Sequence, residues 1–154
     1  MRGTSGVDTF IGRDFDTTIY QGLDGVDIYQ GGTGTDRIDF SFDDNRGGFG
    51  AVTVDLQLGT ATDGFGNEET FTSIEQAVGS DLGDDLMGSQ DDNFLAGRDG
   101  DDTLDGRDGD DFMLGGRGID LITLGAGEDT VSGRAEELDG DIITDFTFED
   151  VVYV

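Results

Sequence analysis

The chain has 154 residues and a formal net charge of −28 at pH 7, which argues against nucleic acid or an anionic membrane as a direct partner. It has no cysteine and no histidine, and all eight basic residues are arginine, so disulfides, histidine-based zinc sites and Schiff-base lysines are excluded. The length fits one domain spanning residues 1–154, and no apolar run approaches the length of a membrane span.

Residues 3–39 read as repeats of nine residues, with glycine or a near substitute first, glycine fourth, an acid sixth and an apolar residue eighth. The second copy, residues 12–21, is one residue too long and has Thr18 where an aspartate is expected. Large apolar side chains at the inward-facing period are usually core, so Phe10, Tyr20 and Tyr29 are predicted to be buried. A fixed short period of this kind is typical of a solenoid.

The nonapeptide pattern lapses over residues 40–78. Val52, Val54, Leu56 and Leu58 alternate with polar residues, which predicts a half-buried strand. Residues 64–69 are predicted to turn, and residues 71–78 to form a second strand that returns to the repeats. This insert is expected to be a lengthened coil, and the alternative is a ligand-binding loop with Phe49, Phe65 and Arg46 as its candidates.

The main array of repeats occupies residues 79–132. Its eighth positions are aliphatic or methionine, namely Leu86, Leu95, Leu104, Met113, Ile122 and Val131. Its sixth positions are acidic with one exception, namely Asp84, Asn93, Asp102, Asp111, Asp120 and Asp129. One column of side chains is therefore predicted to be core and the other to carry charge.

The repeat predicts an all-β fold. Glycine at positions one and four allows the positive φ angles of a tight turn, and the last three residues can extend as a short strand. Turn, strand, turn, strand would close a flattened coil about every 18 residues, with parallel coils ~4.8 Å apart. The acids then divide between two rims, with Asp84, Asp102 and Asp120 on one. Carboxylates stacked at this spacing repel each other, so a divalent cation that prefers oxygen is expected between them.

Three units carry a resemblance to a known family: GGTGTDRID at 31–39, GRDGDDTLD at 97–105 and GGRGIDLIT at 115–123. They resemble the glycine- and aspartate-rich nonapeptide of the RTX family, and the similarity covers nearly the whole chain. The resemblance implies a calcium-bound parallel β-roll, a right-handed β-solenoid, in which turn carbonyls and the sixth-position aspartate coordinate Ca²⁺ between turns two repeats apart. It implies about four to six bound Ca²⁺ ions, if each complete site takes one.

The residues at the matching positions are the candidate metal ligands. Third-position aspartates are included because extra ligand charge tightens calcium binding. The candidates are Asp8, Asp24, Asp27, Gly31, Gly34, Asp36, Asp81, Asp84, Asn93, Gly97, Asp99, Gly100, Asp102, Gly106, Asp108, Gly109, Asp111, Gly115, Gly118, Asp120, Gly127 and Asp129.

Residues 133–154 follow the last repeat. Ile142, Ile143, Phe146 and Phe148 are predicted to cap the final hydrophobic layer of the solenoid. The acidic pair before VVYV at the end is also similar to the uncleaved C-terminal type I secretion signal of RTX proteases and lipases. Residues 1–10 have no apolar core typical of a cleavable secretory signal, so export without an N-terminal trace is expected.

These features favour a calcium-binding module of a secreted bacterial protein that folds outside the cell, as a monomer. The alternative is a calcium-dependent module of a secreted enzyme or adhesin that recognises a polysaccharide or a surface. Acid pairs such as Asp101 and Asp102 could perform acid–base chemistry, but metal ligation already explains them. No zinc-protease motif, nucleophile elbow or phosphate loop is present, so no catalytic residues are expected.

Overall fold

The computed structural model describes residues 1–2, 4, 6–12, 17–21, 24–43 and 47–154. In these residues the regular structure is all β, and no helix is long and apolar enough to cross a membrane. The strands, in chain order, are β1 (Thr9–Ile11), β2 (Ile19–Tyr20), β3 (Ile28–Gln30), β4 (Arg37–Asp39), β5 (Thr53–Asp55), β6 (Thr60–Thr62), β7 (Glu68–Thr72), β8 (Gln76–Val78), β9 (Asp85–Met87), β10 (Phe94–Asp99), β11 (Thr103–Asp105), β12 (Phe112–Arg117), β13 (Leu121–Thr123), β14 (Thr130–Ser132), β15 (Ile142–Thr144) and β16 (Val151–Tyr153).

The strands form two sheets that face each other across one core. The nine-stranded sheet has the order β1-β3-β7-β6-β5-β9-β11-β13-β15, and the seven-stranded sheet has the order β2-β4-β8-β10-β12-β14-β16. Outside the insert, successive strands alternate between the two sheets, so each pair of strands and its two turns makes one coil. The result is the predicted parallel β-solenoid, with about seven turns.

The predicted 18-residue coil is confirmed by the strand register. Leu104 pairs with Leu86 on one side and with Ile122 on the other, and all three side chains are buried. Leu95 and Met113 pair in the same way in the seven-stranded sheet, and both are also buried. Each strand thus contributes its eighth-position side chain to a narrow core, as the period predicts.

The aromatic residues of the first coils are also in the core. Tyr20 and Tyr29 are fully buried, and Phe10 stacks on Tyr29 with 5.2 Å between the ring centroids. The Tyr20 hydroxyl donates to the carbonyl oxygen of Gln30 at 2.9 Å, which satisfies its polar end. The prediction of burial is confirmed, and these three rings do not form an exposed surface for stacking on a ligand.

The insert differs from the prediction in three places. β7 begins at Glu68, inside the turn predicted over residues 64–69. The strand expected over residues 52–58 ends at Asp55, where the chain turns; Leu58 is 73% exposed and β6 runs back antiparallel to β5. The strand expected over residues 71–78 is two strands, β7 and β8, which belong to different sheets. Alternation alone shows which residues are buried, but not where the chain leaves one sheet for the other.

An arginine from the main array fastens the insert to the roll. The Arg107 guanidinium donates to both carboxylate oxygens of Asp55 at 2.9 and 2.8 Å, and to the carbonyl oxygen of Gly88 at 2.8 Å. Such a two-point pair has a defined geometry as well as charge. Of the three ligand candidates in the insert, Phe49 is 87% exposed, Phe65 is half-buried and Arg46 lies outside the described residues.

The C-terminal residues add one more coil to the stack. β15 pairs with β13 and β16 pairs with β14, both in parallel. Ile143, Val152 and Leu138 pack against the core. The prediction that Ile142, Phe146 and Phe148 cover the last layer is wrong, since they are 56%, 52% and 93% exposed. Ile142 faces outward on β15, and the two phenylalanines lie in the turn between β15 and β16.

We expect Leu104→Ala to lower the free energy of unfolding in saturating Ca²⁺ by about 2–5 kcal/mol, because it opens a cavity in a core with one side chain per strand. Leu58→Ala is the matched control, since Leu58 is 73% exposed and its truncation leaves the core intact. Urea unfolding followed by circular dichroism measures both variants. Equal losses would contradict this assignment of the core.

Candidate metal centres

The turns of the main array depend on left-handed backbone at their second and fourth residues. Gly100 and Gly109 at the fourth position have φ angles of 125° and 108°, as predicted, whereas the second-position Arg98 and Arg107 have 96° and 73°. The first-position glycines were expected to supply positive φ and do not. Arginine is rarely found in this conformation, so the stacked coils must hold it there.

The first-position glycines have a steric role instead. A β-carbon at Gly97 would overlap Oδ2 of Asp102, and a β-carbon at Gly115 would overlap Oδ2 of Asp120. Gly106 stands in the same relation to Asp111. Glycine at this position therefore leaves open the space in front of a sixth-position carboxylate oxygen.

The sixth-position acids are linked from coil to coil by hydrogen bonds to the main chain. The amide of Asp84 donates to Oδ1 of Asp102 at 2.8 Å, the amide of Asp102 donates to Oδ1 of Asp120 at 2.9 Å, and the amide of Asp120 donates to Oδ1 of Asp141 at 3.0 Å. We call this series the first acid ladder. It runs along one rim of the roll.

A second acid ladder follows the other rim. The amide of Asn93 donates to Oδ1 of Asp111 at 2.8 Å, that of Asp111 to Asp129 at 2.9 Å, and that of Asp129 to Asp150 at 3.1 Å. The predicted division of the acids between two rims is therefore confirmed. Each ladder ties neighbouring coils together through charge-assisted hydrogen bonds.

The other oxygen of many ladder carboxylates is buried and has no hydrogen-bond donor. An unpaired buried carboxylate oxygen is unfavourable, because it has lost its water and gained nothing in return. Among the described residues, the buried acid oxygens without a donor are Asp36 Oδ2, Glu69 Oε1, Asp102 Oδ2, Asp111 Oδ2, Asp120 Oδ2, Asp129 Oδ2 and Asp141 Oδ2. A cation or a proton at these oxygens would remove the penalty.

The electrostatics of the ladders favour the same conclusion. Burial, reinforced by neighbouring carboxylates, raises the pKa of Asp102 and of Asp111 to about 7 each. Burial likewise raises the pKa of Asp84, Asp120 and Asp129. The ionised carboxylate is thus disfavoured until a positive charge compensates it.

The remaining candidates from the sequence have various positions. Asp27 and Asp36 are buried and make the same kind of contact, each accepting a main-chain amide at 2.8 Å, from Asp8 and from Thr18. Asp8 accepts hydrogen bonds from the amide and hydroxyl of Thr4. Asn93 has a ladder position but accepts from Ser89 and has no carboxylate charge. A β-carbon at Gly31 would come too close to Oδ2 of Asp36, as one at Gly97 would to Oδ2 of Asp102. Gly34, Gly118 and Gly127 stand at fourth positions and have positive φ angles.

The third-position aspartates are not brought to the ladders. Asp81 pairs with Arg98 at 2.7 Å and Asp99 with Arg117 at 3.6 Å. Asp24 accepts from the side-chain amide of Asn67 at 3.3 Å, and Asp108 is exposed. These four acids were expected to add negative charge to the ion sites. In the structure they lie at the surface instead.

Four ladder acids were missed by the sequence analysis. Glu69 accepts from the amide of Asp27 at 2.7 Å, and Glu75 accepts from the amide of Asp36 at 2.8 Å. Asp141 and Asp150 are the last members of the two ladders. Each of these acids stands two residues before an inward-facing residue (Phe71, Ala77, Ile143 and Val152), so this spacing finds them where the pair of repeat glycines is incomplete.

The donor set fits a hard cation that binds oxygen. Within the described part of the chain, no three acidic side chains converge closely enough to hold a metal ion by themselves. An ion would therefore need one or two carboxylates together with turn carbonyls, and Ca²⁺ accepts such mixed oxygen ligands. The bare oxygens and the glycines in front of them are compatible with this arrangement.

Comparison with known protein families agrees with the geometry. A model of the RTX calcium-binding nonapeptide repeat, which describes four copies, matches residues 21–39, 78–113 and 105–136. Together these ranges cover about half of the chain. A search of curated proteins gave no match.

We expect the stability of the folded chain to change with pH in opposite directions when Ca²⁺ is removed by a chelator and when Ca²⁺ is saturating. The folded-state pKa values of Asp102 and Asp111 are raised from 3.8 to about 7, so the folded chain binds more protons than the unfolded chain between these values. Stability in chelator should therefore fall as the pH rises from about 4 to about 7. Circular dichroism in chelator should show more β-structure at pH 5 than at pH 8, and saturating Ca²⁺ should reverse the order, since Ca²⁺ needs ionised carboxylates. The same order in both conditions would contradict the assignment of the ladder acids.

We expect Asp102→Asn to raise the Ca²⁺ concentration at the folding midpoint at least about tenfold, which corresponds to ~1.4 kcal/mol. Asparagine can keep the hydrogen bond from the amide of Asp84 but removes the charge of the bare oxygen. Asp85→Asn is the matched control, because Asp85 is exposed on β9. Calcium titrations followed by circular dichroism would show equal midpoints for the two variants if the ladder had no part in ion binding.

Proposed function

The chain belongs to the RTX calcium-binding nonapeptide repeat family, and we propose that it is the calcium-driven folding module of a protein exported by the type I route. In the proposal the chain is unfolded inside the cell, where free Ca²⁺ is scarce, and folds outside, where Ca²⁺ is abundant. The observation that carries the proposal is the set of buried ladder oxygens without donors. A repeat domain of this family is a non-catalytic module, so no reaction is assigned to these acids.

The mechanism is thermodynamic linkage. The ladder carboxylates meet turn carbonyls only when the coils stack, so a ligand that binds there stabilises the folded state and not the unfolded one. Ca²⁺ would supply the positive charge that the bare oxygens lack. Asp102, Asp120, Asp111, Asp129 and Asp36 are the carboxylates that would hold it, with carbonyls of the glycine-rich turns.

Net charge supports the same mechanism. About four to six Ca²⁺ ions would add roughly +8 to +12 to the formal charge of −28, if each occupied site takes one ion. Without this compensation the stacked acids repel each other through the length of both ladders. The module would remain acidic after binding, which favours solubility outside the cell.

The first test is a far-UV circular dichroism titration with Ca²⁺ that starts from chelated protein and is repeated with Mg²⁺ at matched ionic strength. We expect a cooperative change from coil to β-structure in Ca²⁺ and not in Mg²⁺, because Mg²⁺ requires a smaller octahedral shell. If Mg²⁺ works equally well, the sites are not selective for Ca²⁺ and the proposed switch is wrong. If β-structure is already complete in chelator, the alternative of a constitutively folded module that recognises a polysaccharide or a surface is favoured.

A further inference from the structure

The insert interrupts the nonapeptide but has a contact of the ladder type, in the same sheet as the first acid ladder and separated from it by β5 and β6. β7 pairs with β3 so that Phe71 is opposite Tyr29, and both side chains are buried. The amide of Asp27 donates to Oε2 of Glu69 at 2.7 Å, just as the amide of Asp84 donates to Asp102. Glu69 therefore has the place of a sixth-position aspartate, in a segment that keeps a first-position glycine, Gly64, but has Asn67 in place of the fourth-position glycine.

The second oxygen of Glu69 is one of the buried acid oxygens without a donor. Glu69 is 1% exposed, and its Oε1 has no donor within hydrogen-bond distance among the described residues. Burial raises the pKa of Glu69 and the nearby Tyr29 hydroxyl lowers it, but the hydrogen bond of that hydroxyl goes to Oδ2 of Asp27 at 3.3 Å. The negative charges of Asp27 and Asp63 both act on Glu69, and these two residues are also buried. A bare oxygen thus points into a region that is already acidic on two sides.

The insert turn and the repeat turn before β3 are joined at this place. The side-chain amide of Asn67 donates to Oδ2 of Asp63 at 3.0 Å and to Oδ1 of Asp24 at 3.3 Å. Asp63 also accepts from the amides of Phe65 and Asn67 at 3.0 and 2.7 Å, which fixes the turn. Two chain segments that are distant in sequence are therefore joined at Asn67, two residues before Glu69.

From these contacts we propose that the insert forms a cation site of its own, in which Glu69 Oε1 binds a hard divalent cation between the turns that contain Asp27 and Asp63. The site departs from the nonapeptide pattern, because its carboxylate belongs to a glutamate and the first-position glycine, Gly64, faces Asp43 and not Glu69. Its remaining ligands are turn carbonyls and water, as expected where no three described carboxylates converge. The insert is then a part of the metal-binding structure and not a passive loop.

The competing explanation is a proton in place of the cation. A protonated Glu69 would also remove the buried charge, and it would bind nothing. Glu69→Gln separates the two, because glutamine has the shape of the protonated acid and can still accept from the amide of Asp27. Glu68→Gln is the matched control, since Glu68 is adjacent, exposed and bonded only to the hydroxyl of Thr62 at 3.2 Å in the contacts described.

The experiment counts bound Ca²⁺ by isothermal titration calorimetry on the whole chain and its variants. We expect Glu69→Gln to bind about one Ca²⁺ fewer than the unchanged chain, and Glu68→Gln to bind the same number. In chelator, Glu69→Gln should be at least as stable as the unchanged chain, because it removes a buried charge. An unchanged Ca²⁺ count in Glu69→Gln would overturn the proposal in favour of the protonated acid.

A second measurement does not depend on the folding of that variant. Tb³⁺ can replace Ca²⁺ at oxygen sites, and its emission on tyrosine excitation requires a nearby phenol. The Tyr29 hydroxyl lies 3.3 Å from Oδ2 of Asp27, beside Glu69, and its ring would stay packed in Tyr29→Phe. We expect Tyr29→Phe to lose part of the emission and to keep the part that Tyr20, which lies near Asp36, provides; full emission in Tyr29→Phe would overturn the proposal. Neither measurement requires Ca²⁺ to drive folding. The proposal of an insert site can therefore be overturned while the proposed folding function is confirmed, and the folding function can be overturned while the insert site is confirmed.

Discussion

In five carboxylates of the two ladders, those of Asp102, Asp111, Asp120, Asp129 and Asp141, one oxygen accepts a hydrogen bond and the other has no donor, and the rest of the structure depends on this difference. One oxygen accepts the main-chain amide of the preceding coil, which fixes the 18-residue stacking through bonds such as that from Asp84 to Asp102. The other oxygen is buried without a donor, as in Asp102 and Asp111. The groups that tie the coils together are therefore also the groups that repel each other most strongly. Stacking and charge compensation must then occur together, because the ladder that holds the coils is unfavourable until its second oxygens are neutralised.

The core is consistent with this dependence. Each strand buries essentially one eighth-position side chain, so the apolar column of Leu86, Leu104 and Ile122 is narrow. A core of this width provides limited burial per residue against the entropy of ordering a glycine-rich chain. Neighbouring coils also contact each other locally, as expected for a solenoid, which explains how one sheet can accept the extra strands β5 and β6. The contact between Arg107 and Asp55 then holds this wider part of the sheet to the main array.

The period of the repeat was sufficient to predict much of the fold and part of the site. It correctly predicted two sheets, the parallel coils, the buried columns and the division of the acids between two rims. The requirement for glycine at the first position was predicted, but for the wrong reason. Gly97 does not have a positive φ angle; it is needed because a β-carbon there would overlap Oδ2 of Asp102. The period also missed Glu69, Glu75, Asp141 and Asp150, because none of them follows glycines at both the first and the fourth position of a unit. Their common feature, an acid two residues before an inward side chain, follows from strand geometry and does not need a turn motif.

What the sequence by itself determined is the local chemistry of each repeat: where a turn can form, which side chain faces inward and which residue is an acid. Only the tertiary structure decided which acids share a ladder, because the donor of each hydrogen bond comes from another coil, as Asp27 donates to Glu69 across 42 positions. It likewise decided that Arg98 and Arg107 take a left-handed conformation that arginine does not favour alone. The physical reason is the same in both cases. Local preferences are properties of a few neighbouring residues, whereas the position of a buried oxygen or a strained turn depends on the coil stacked next to it.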